Sequence, residues 1–106
     1  MRASLALLLS LLAVGSSSAT QPDVQRADAL QYLLVQDCGS CHGLSLKGGL
    51  GPSLEAQALA GKPRELLIRT ILEGRPGTAM PPWRGFLTQE EAAWLVDRLR
   101  SGEVRR

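Results

Sequence analysis

Residues 38–42 read Cys38-Gly39-Ser40-Cys41-His42, a C-x-x-C-H motif in a chain that has two cysteines and one histidine in all. This spacing is the signature of covalent haem attachment. Two thiols three residues apart lie on one face of a helical turn, where both can add to the vinyl groups of one haem. The histidine after the second thiol can then bind the iron from one axial side. The motif therefore predicts one haem c, attached through Cys38 and Cys41 and ligated by His42.

Three other uses of these side chains are less consistent with the sequence. A disulfide between Cys38 and Cys41 would be short and strained, and it would leave His42 without a role. A zinc site needs four ligands, whereas cysteine and histidine together supply three. A thioredoxin-like redox pair needs a βαβ setting, and no strand pattern is present. Haem attachment is the interpretation that uses all three residues.

Residues 1–19 have the pattern of a signal peptide. Arg2 supplies a positive start, Leu5 to Val14 form an apolar run of ten residues when Ser10 is counted, and Ser17-Ser18-Ala19 is a small-residue cleavage site. An uncleaved membrane tether is the alternative, but a membrane span needs about 20 apolar residues. The pattern predicts export to the periplasm and one mature domain, residues 20–106, with no membrane span after cleavage.

Charge and composition limit the partners of this domain. The full chain has 12 basic and 10 acidic residues, and removal of residues 1–19 takes away one basic residue and leaves a net charge of +1. This near balance, with no long basic run, argues against nucleic acid as a partner. The domain has few aromatic residues to build a core, namely Tyr32, Trp83, Phe86 and Trp94. A haem would add a large apolar group to that core. We expect a monomer.

The first and last predicted helices have the clearest signals. Residues 23–36 are predicted to be helical, with Asp23 as N-cap and Gly39 ending or distorting the helix after the chain enters the motif. Its apolar stripe is predicted at Val24, Ala27, Leu30 and Leu34. The last helix opens at the capping box Thr88-Gln89-Glu90-Glu91 and ends at Gly102. A hydrophobic staple is predicted between Leu87 and Ala92, and the inner stripe comprises Ala92, Leu95, Val96 and Leu99, with Trp94 beside it.

The middle of the chain predicts loops and two shorter helices. Three glycines in the run Gly48-Gly49-Leu50-Gly51 mark a loop that turns tightly or approaches another group closely. Residues 53–60 predict a short helix with Ser53 as its cap. A better-marked helix has Pro63 at its first position and ends at Gly74. The buried side of that helix is predicted to comprise Leu67, Ile71 and Leu72, with Leu66 and Ile68.

A haem with both axial positions filled needs a second ligand, and Met80 is the best candidate. It is the one methionine after residue 19, and there is no second histidine. Lys47 and Lys62 would have to be deprotonated, and Tyr32 lies on the helix before the motif. Residues 75–83 contain three prolines, which make a stiff loop that can hold a weak ligand. Simple packing is the alternative role for Met80.

Four other residues are candidates near this site. The Pro52 carbonyl can accept the second ring N–H of His42, or Pro52 can be a turn residue alone. Trp83 can pack against the haem or serve as an electron entry point. Arg75 and Arg84 can meet a haem propionate or an acidic partner, or they can be solvated surface charges.

With these residues in place, the chain resembles the small class I cytochromes c over nearly all of residues 20–106. The resemblance implies an all-α fold, with three to four short helices around one covalent haem and a crossing of the first and last helices. By similarity, Pro52 provides the carbonyl to His42, and Trp94 provides the aromatic at the crossing. The first helix has no glycine there, so Ala27 or Ala29 would be its small residue.

Four stretches are similar to the cytochrome c-55X family of denitrifying bacteria, encoded beside nitrite reductase: residues 38–43, 48–52, 59–63 and 73–83. This resemblance implies one-electron transfer to the periplasmic cytochrome cd1 nitrite reductase. It equally implies service to the proteins that build haem d1. Either role makes the chain an electron carrier or assembly factor and not an enzyme. A haem-based gas sensor or peroxidase would require Met80 to leave the iron easily.

Overall fold

The computed structural model describes Gly15 and residues 21–104, and in this part of the chain it is built from helices and loops without strands. The predicted all-α class is confirmed. The five α-helices of the described residues are α1 (Val24–Leu33), α2 (Gly39–His42), α3 (Ala56–Leu59), α4 (Arg64–Glu73) and α5 (Gln89–Ser101), and a π-helical turn, Leu34–Cys38, joins α1 to α2. None of the described helices is long and apolar enough to cross a membrane. The predicted signal peptide, apart from Gly15, lies outside the described residues.

At the start of α1, the predicted N-cap is present, but the first residue of the predicted apolar stripe is not buried. Asp23 accepts a hydrogen bond from the Arg26 backbone N–H at 2.8 Å, as an N-cap does. Leu30 and Leu34 are buried, whereas Val24 is 78% exposed, so its place in the buried stripe was wrong. The first turn of α1 contacts the rest of the molecule through Ala27, which packs against the core, and through polar contacts of Arg26.

The helix does not end before the motif. Helical backbone runs from residue 24 to residue 42, and Gly39 has right-handed helical angles (φ −62°, ψ −26°). The predicted end of the helix at residue 36 was therefore wrong. Gly39 does not end the helix either. The alternative prediction was that Gly39 distorts the helix. A distortion is present, but it lies in the π turn directly before Gly39. The motif is thus presented on a helix that continues from the core.

Helix α5 forms as its sequence predicts. The Thr88 hydroxyl accepts from the Glu91 backbone N–H at 3.1 Å, and the Glu91 carboxylate accepts from the Thr88 backbone N–H at 3.0 Å. Leu87 and Ala92, the predicted staple, are both buried, and Gly102 ends the helix in the left-handed conformation (φ 75°). All residues of the predicted inner stripe are buried, and so is Trp94, with the Arg98 guanidinium 4.8 Å from its ring centroid.

The two middle helices are shorter or shifted relative to the prediction. Ser53 is not the cap of α3, because the helix begins three residues later and Glu55 occupies the cap position. The Ser53 hydroxyl instead closes the preceding loop, donating to the Leu46 carbonyl at 3.3 Å. In α4 the fully buried side chains are Ile68 and Leu72; Leu67 and Ile71 are partly buried, and Leu66 is 45% exposed.

Helix α5 is the centre of the core, and α1, α3 and α4 pack against it. Ala27 of α1 packs against the buried cluster, whereas Ala29 is exposed. Ala27 is therefore the small residue that α1 presents to the core. This arrangement leaves two segments to carry the predicted site, the end of the α1–α2 helix with the loop after it, and the loop between α4 and α5.

Candidate functional site

The two cysteines lie one helical turn apart, and both are free thiols that are partly buried. Cys38 packs against the hydrophobic core. Burial, with a smaller effect from the negative charge of Asp37, raises the pKa of the Cys38 thiol to about 11. The Ser40 hydroxyl donates to the Asp37 carbonyl at 2.7 Å and keeps this turn closed. The thiols are therefore held on a folded turn, in the spacing that the sequence predicted.

His42 has one ring nitrogen engaged by the backbone. Its Nδ1 atom lies 2.7 Å from the Pro52 carbonyl oxygen, which is the contact predicted from the sequence. Because a carbonyl oxygen can only accept, Nδ1 carries the proton in this hydrogen bond. The lone pair is then on Nε2, the nitrogen that remains able to bind a metal. The Pro52 carbonyl thus fixes both the tautomer and the orientation of His42.

The loop after α2 folds back over the end of that helix. The Gly51 N–H donates to the Cys41 carbonyl, and the Gly48 N–H donates to the His42 carbonyl, each at 2.8 Å. A Cβ atom at Gly51 would lie 2.7 Å from both Cε1 and Nδ1 of the His42 ring, closer than real Cβ contacts come. The glycine run predicted a close approach, and the structure identifies the neighbour as the face of His42. Glycine at position 51 is what lets the backbone lie against the ring.

One backbone hydrogen bond closes the Met80 loop on itself, and another joins the loop to α4. The Arg75 N–H donates to the Met80 carbonyl at 3.2 Å, and the Trp83 N–H donates to the Ile71 carbonyl at 3.0 Å. Gly74 has a positive φ of 67°, and a Cβ there would lie 2.7 Å from the Met80 carbonyl oxygen. Met80 itself is partly buried. Hydrogen bonds to backbone groups, in addition to the prolines, therefore set the course of this loop.

Thr78 is a positioning residue that the sequence argument missed. Its hydroxyl donates to the Arg75 carbonyl at 2.6 Å and accepts from the Met80 backbone N–H at 3.3 Å. It therefore joins the start of the loop to the residue that is the candidate ligand. The available signal was a threonine directly after the turn glycine, since Ser and Thr hydroxyls often bond to backbone within turns.

The remaining candidates have more than one role open to them. Trp83 is partly buried against the core, and its ring is tilted by 59° to that of exposed Phe86, with 5.8 Å between centroids. Arg84 pairs with the carboxylate of Glu73 at the end of α4, so it is neither free nor simply solvated. Arg75 is exposed, and its backbone N–H is what contacts the Met80 loop.

The residues present fit a covalently attached haem. Two free thiols lie at the required spacing on one turn, and the adjacent imidazole keeps Nε2 available because Nδ1 is engaged. Among residues 21–104 and Gly15, no three His, Cys, Asp or Glu side chains come together as a site for a metal ion. The two thiols and the imidazole thus supply the groups that covalent attachment and one iron ligand require, and Met80 lies in a separate loop between α4 and α5.

Comparison with known proteins agrees with this chemistry. Residues 25–97 match the family model described as cytochrome c oxidase, cbb3-type, subunit III. Cytochrome c55X of Pseudomonas aeruginosa PAO1 is 61% identical over 83 residues, which are 78% of this chain and 70% of that protein. The chain belongs to the cytochrome c55X family of class I c-type cytochromes. As a member of that family it is a haem c electron carrier associated with the nitrite reductase gene cluster of denitrification.

Two solved structures resemble this cytochrome. The c-type cytochrome NirC has a TM-score of 0.78 and 60% identity, and the match covers 80% of this chain and all of that one. The dihydro-haem d1 dehydrogenase NirN, solved in complex with a ligand abbreviated DHE, has a TM-score of 0.61 and 36% identity. That second match covers 66% of this chain but 15% of NirN. A cytochrome domain of this kind therefore also occurs within a much larger protein.

Proposed function

We propose that this cytochrome carries one haem c, bound through Cys38 and Cys41, with His42 and Met80 as the axial ligands. In this proposal it transfers single electrons in the periplasm to cytochrome cd1 nitrite reductase. The observation that supports it most directly is the 2.7 Å contact between His42 Nδ1 and the Pro52 carbonyl oxygen. In the neutral ring, that contact places the proton on Nδ1 and the lone pair on Nε2, and it orients the ring, as an axial ligand requires.

Each residue of the site then has a defined task. The thiols of Cys38 and Cys41 hold the cofactor to the α1–α2 helix, and His42 binds the iron through Nε2. Trp83 packs against the porphyrin, and the loop that Thr78 and Gly74 hold in place presents the Met80 thioether. When bound, the haem supplies a one-electron ferric/ferrous couple, and a thioether ligand raises its reduction potential. Ligation by both His42 and Met80 would leave no position for a substrate at the haem, which suits a carrier and not an enzyme.

Replacement of Met80 by alanine tests the second ligand. The Met80→Ala variant should keep its covalent haem, because Cys38, Cys41 and His42 are unchanged, but its iron should bind carbon monoxide and cyanide readily. Ala79→Ser, a change at the exposed neighbour, is the matched control and should keep the wild-type spectrum. A Met80→Ala protein with an unchanged spectrum and no added ligand binding would remove Met80 from the site.

The periplasmic location and the partner are further parts of the proposal. The signal-peptide pattern of residues 1–19 supports export, and the identity to cytochrome c55X and NirC supports a role beside nitrite reductase. Stopped-flow mixing of the reduced cytochrome with oxidised cytochrome cd1 nitrite reductase tests donation directly. Rapid, second-order oxidation of the cytochrome is the expected result, and slow or absent oxidation would contradict it. Sedimentation should show a monomer.

A second candidate function is service to the proteins that build haem d1. The similarity to dihydro-haem d1 dehydrogenase favours it, because the 36% identity covers 62% of this chain in that comparison. The chain would then exchange electrons with a haem d1 biosynthesis protein, and deletion of its gene would yield a reductase without haem d1. A deletion strain whose reductase holds a full complement of haem d1, combined with rapid electron donation in vitro, would exclude this second function.

A further inference from the structure

The helix that carries the haem-attachment motif contains a π turn at residues 34–38, directly before the motif. The Gly39 N–H bonds to the Gln36 carbonyl, three residues back, and to the Leu34 carbonyl, five residues back, where an α-helix would bond four residues back. Such a turn accommodates one residue more than an α-helical turn does, and π turns within α-helices are frequent at functional sites. The extra residue changes which side chains face the core downstream of it.

The exposure of the side chains shows the effect of this turn. In an uninterrupted α-helix, at about 100° per residue, Asp37 would lie about 20° from Leu30 and therefore face the core. Leu30 is fully buried, but Asp37 is exposed, and Cys38 packs against the core in its place. After the π turn, each side chain therefore faces the direction that the preceding residue would face in an uninterrupted α-helix.

That register aligns the haem-binding residues with the buried stripe. Counted with one residue skipped, Cys38 and His42 both lie within about 20° of Leu30 around the helix axis. Counted without the skip, His42 would lie about 120° away from Leu30. The π turn thus turns His42 from the flank of the helix to the side on which Leu30 and Leu34 are buried.

We infer that the π turn is a register shift that positions Cys38 and His42 for the haem, and that residues 34–38 contain one residue more than this geometry requires. The inference rests on the proposed function, because it concerns the same haem site. Gln36 is the residue that can be spared, since its side chain is exposed. In a chain without it, the Gly39 N–H would lose its bond to the Gln36 carbonyl, and its bond to the Leu34 carbonyl would join residues four apart, as in an ordinary α-helix.

Deletion of Gln36 in the holoprotein tests this inference. The helix should become regular while Cys38 and His42 keep their direction. The variant should therefore have the haem-to-protein ratio of wild type, a haemochrome spectrum with two thioether bonds, and an unchanged reduction potential. The Gly39 amide should stay protected from hydrogen exchange, and Tm should not fall. If the residue count alone set the register, the deletion would rotate the motif by about 100° and covalent haem would be lost.

Two further variants complete the test. Insertion of one alanine after Gln36 should abolish most covalent haem attachment, because the single π turn already holds its extra residue. Gln36→Ala keeps the residue count and should match wild type. Loss of haem or of the folded protein in the deletion variant, or full attachment in the insertion variant, would overturn the register shift. A wild-type protein without covalent haem would instead overturn the proposed function, so the two failures are distinguishable.

Discussion

The Gly51→Ala substitution tests how closely the backbone supports His42. The added Cβ would lie 2.7 Å from Cε1 and Nδ1 of the ring, whereas ordinary contacts begin at 3.4 Å, so the ring must move by about 0.7 Å. Such a shift would lengthen the 2.7 Å hydrogen bond from Nδ1 to the Pro52 carbonyl beyond the usual limit of about 3.2 Å. Overpacking costs about 1–3 kcal/mol and the lost hydrogen bond about 1 kcal/mol. The expected loss is about 2–4 kcal/mol of unfolding free energy.

The same shift should change the electronic properties of the iron ligand. A hydrogen bond from Nδ1 to a carbonyl makes the imidazole a stronger donor, which favours the ferric state. Its weakening should raise the reduction potential, and about 1 kcal/mol of difference between oxidation states corresponds to roughly 40 mV for one electron. Urea unfolding and protein-film voltammetry measure the two effects. The matched control is Gly61→Ala, where no atom lies within 4 Å of the added Cβ, and it should change neither quantity appreciably. A Gly51→Ala protein as stable as this control, with the wild-type potential, would refute the contact argument.

Two further predictions concern the Met80 loop and the contact between α1 and α5. Thr78→Ala removes the hydroxyl that bonds to both the Arg75 carbonyl and the Met80 N–H. It should lower the unfolding free energy by about 1–2 kcal/mol and speed cyanide binding to the ferric protein. Thr78→Ser keeps the hydroxyl and should show wild-type kinetics. The hydrogen bond from Arg26 holds the pKa of Glu91 below its usual range, so the stability from this pair is present at neutral pH and is lost as the pH falls through the lowered pKa. Arg26→Ala should therefore lower the unfolding free energy by about 1 kcal/mol at pH 7, and urea titrations should show this difference vanish well below pH 4; a difference that is independent of pH would contradict the assignment.

Local hydrogen-bond chemistry explains what the sequence could predict. The Asp23 cap and the Thr88–Glu91 capping box depend on side chains three residues apart in the chain, and both formed as expected. The contact between His42 and Pro52 was one of two roles that the spacing left open for Pro52, and the resemblance to class I cytochromes c selected it. These features need no knowledge of how distant helices pack.

Features that depend on tertiary placement were not predictable in the same way. Periodicity placed Val24 in the stripe, but burial depends on which groups the helix meets in the fold, and the Val24 side chain is 78% exposed. Gly39 was expected to end or distort the helix, yet a buried glycine continues as helix when the flanking residues pack, and the distortion falls in the turn before it. The glycine run predicted a close approach but could not name His42 as the neighbour of Gly51. The hydrogen bonds of Thr78 likewise depend on a loop course that sequence does not specify.

The measurement that tests the central claim most directly is an optical spectrum of the purified protein, made in a host that attaches haem c. We expect one haem for each chain, a haemochrome spectrum with two thioether bonds, and in the oxidised protein the long-wavelength charge-transfer band of an iron–thioether bond. Colourless protein, or haem that acidified organic solvent extracts, would contradict covalent attachment through Cys38 and Cys41. A covalent haem whose oxidised spectrum lacks the charge-transfer band would contradict ligation by Met80.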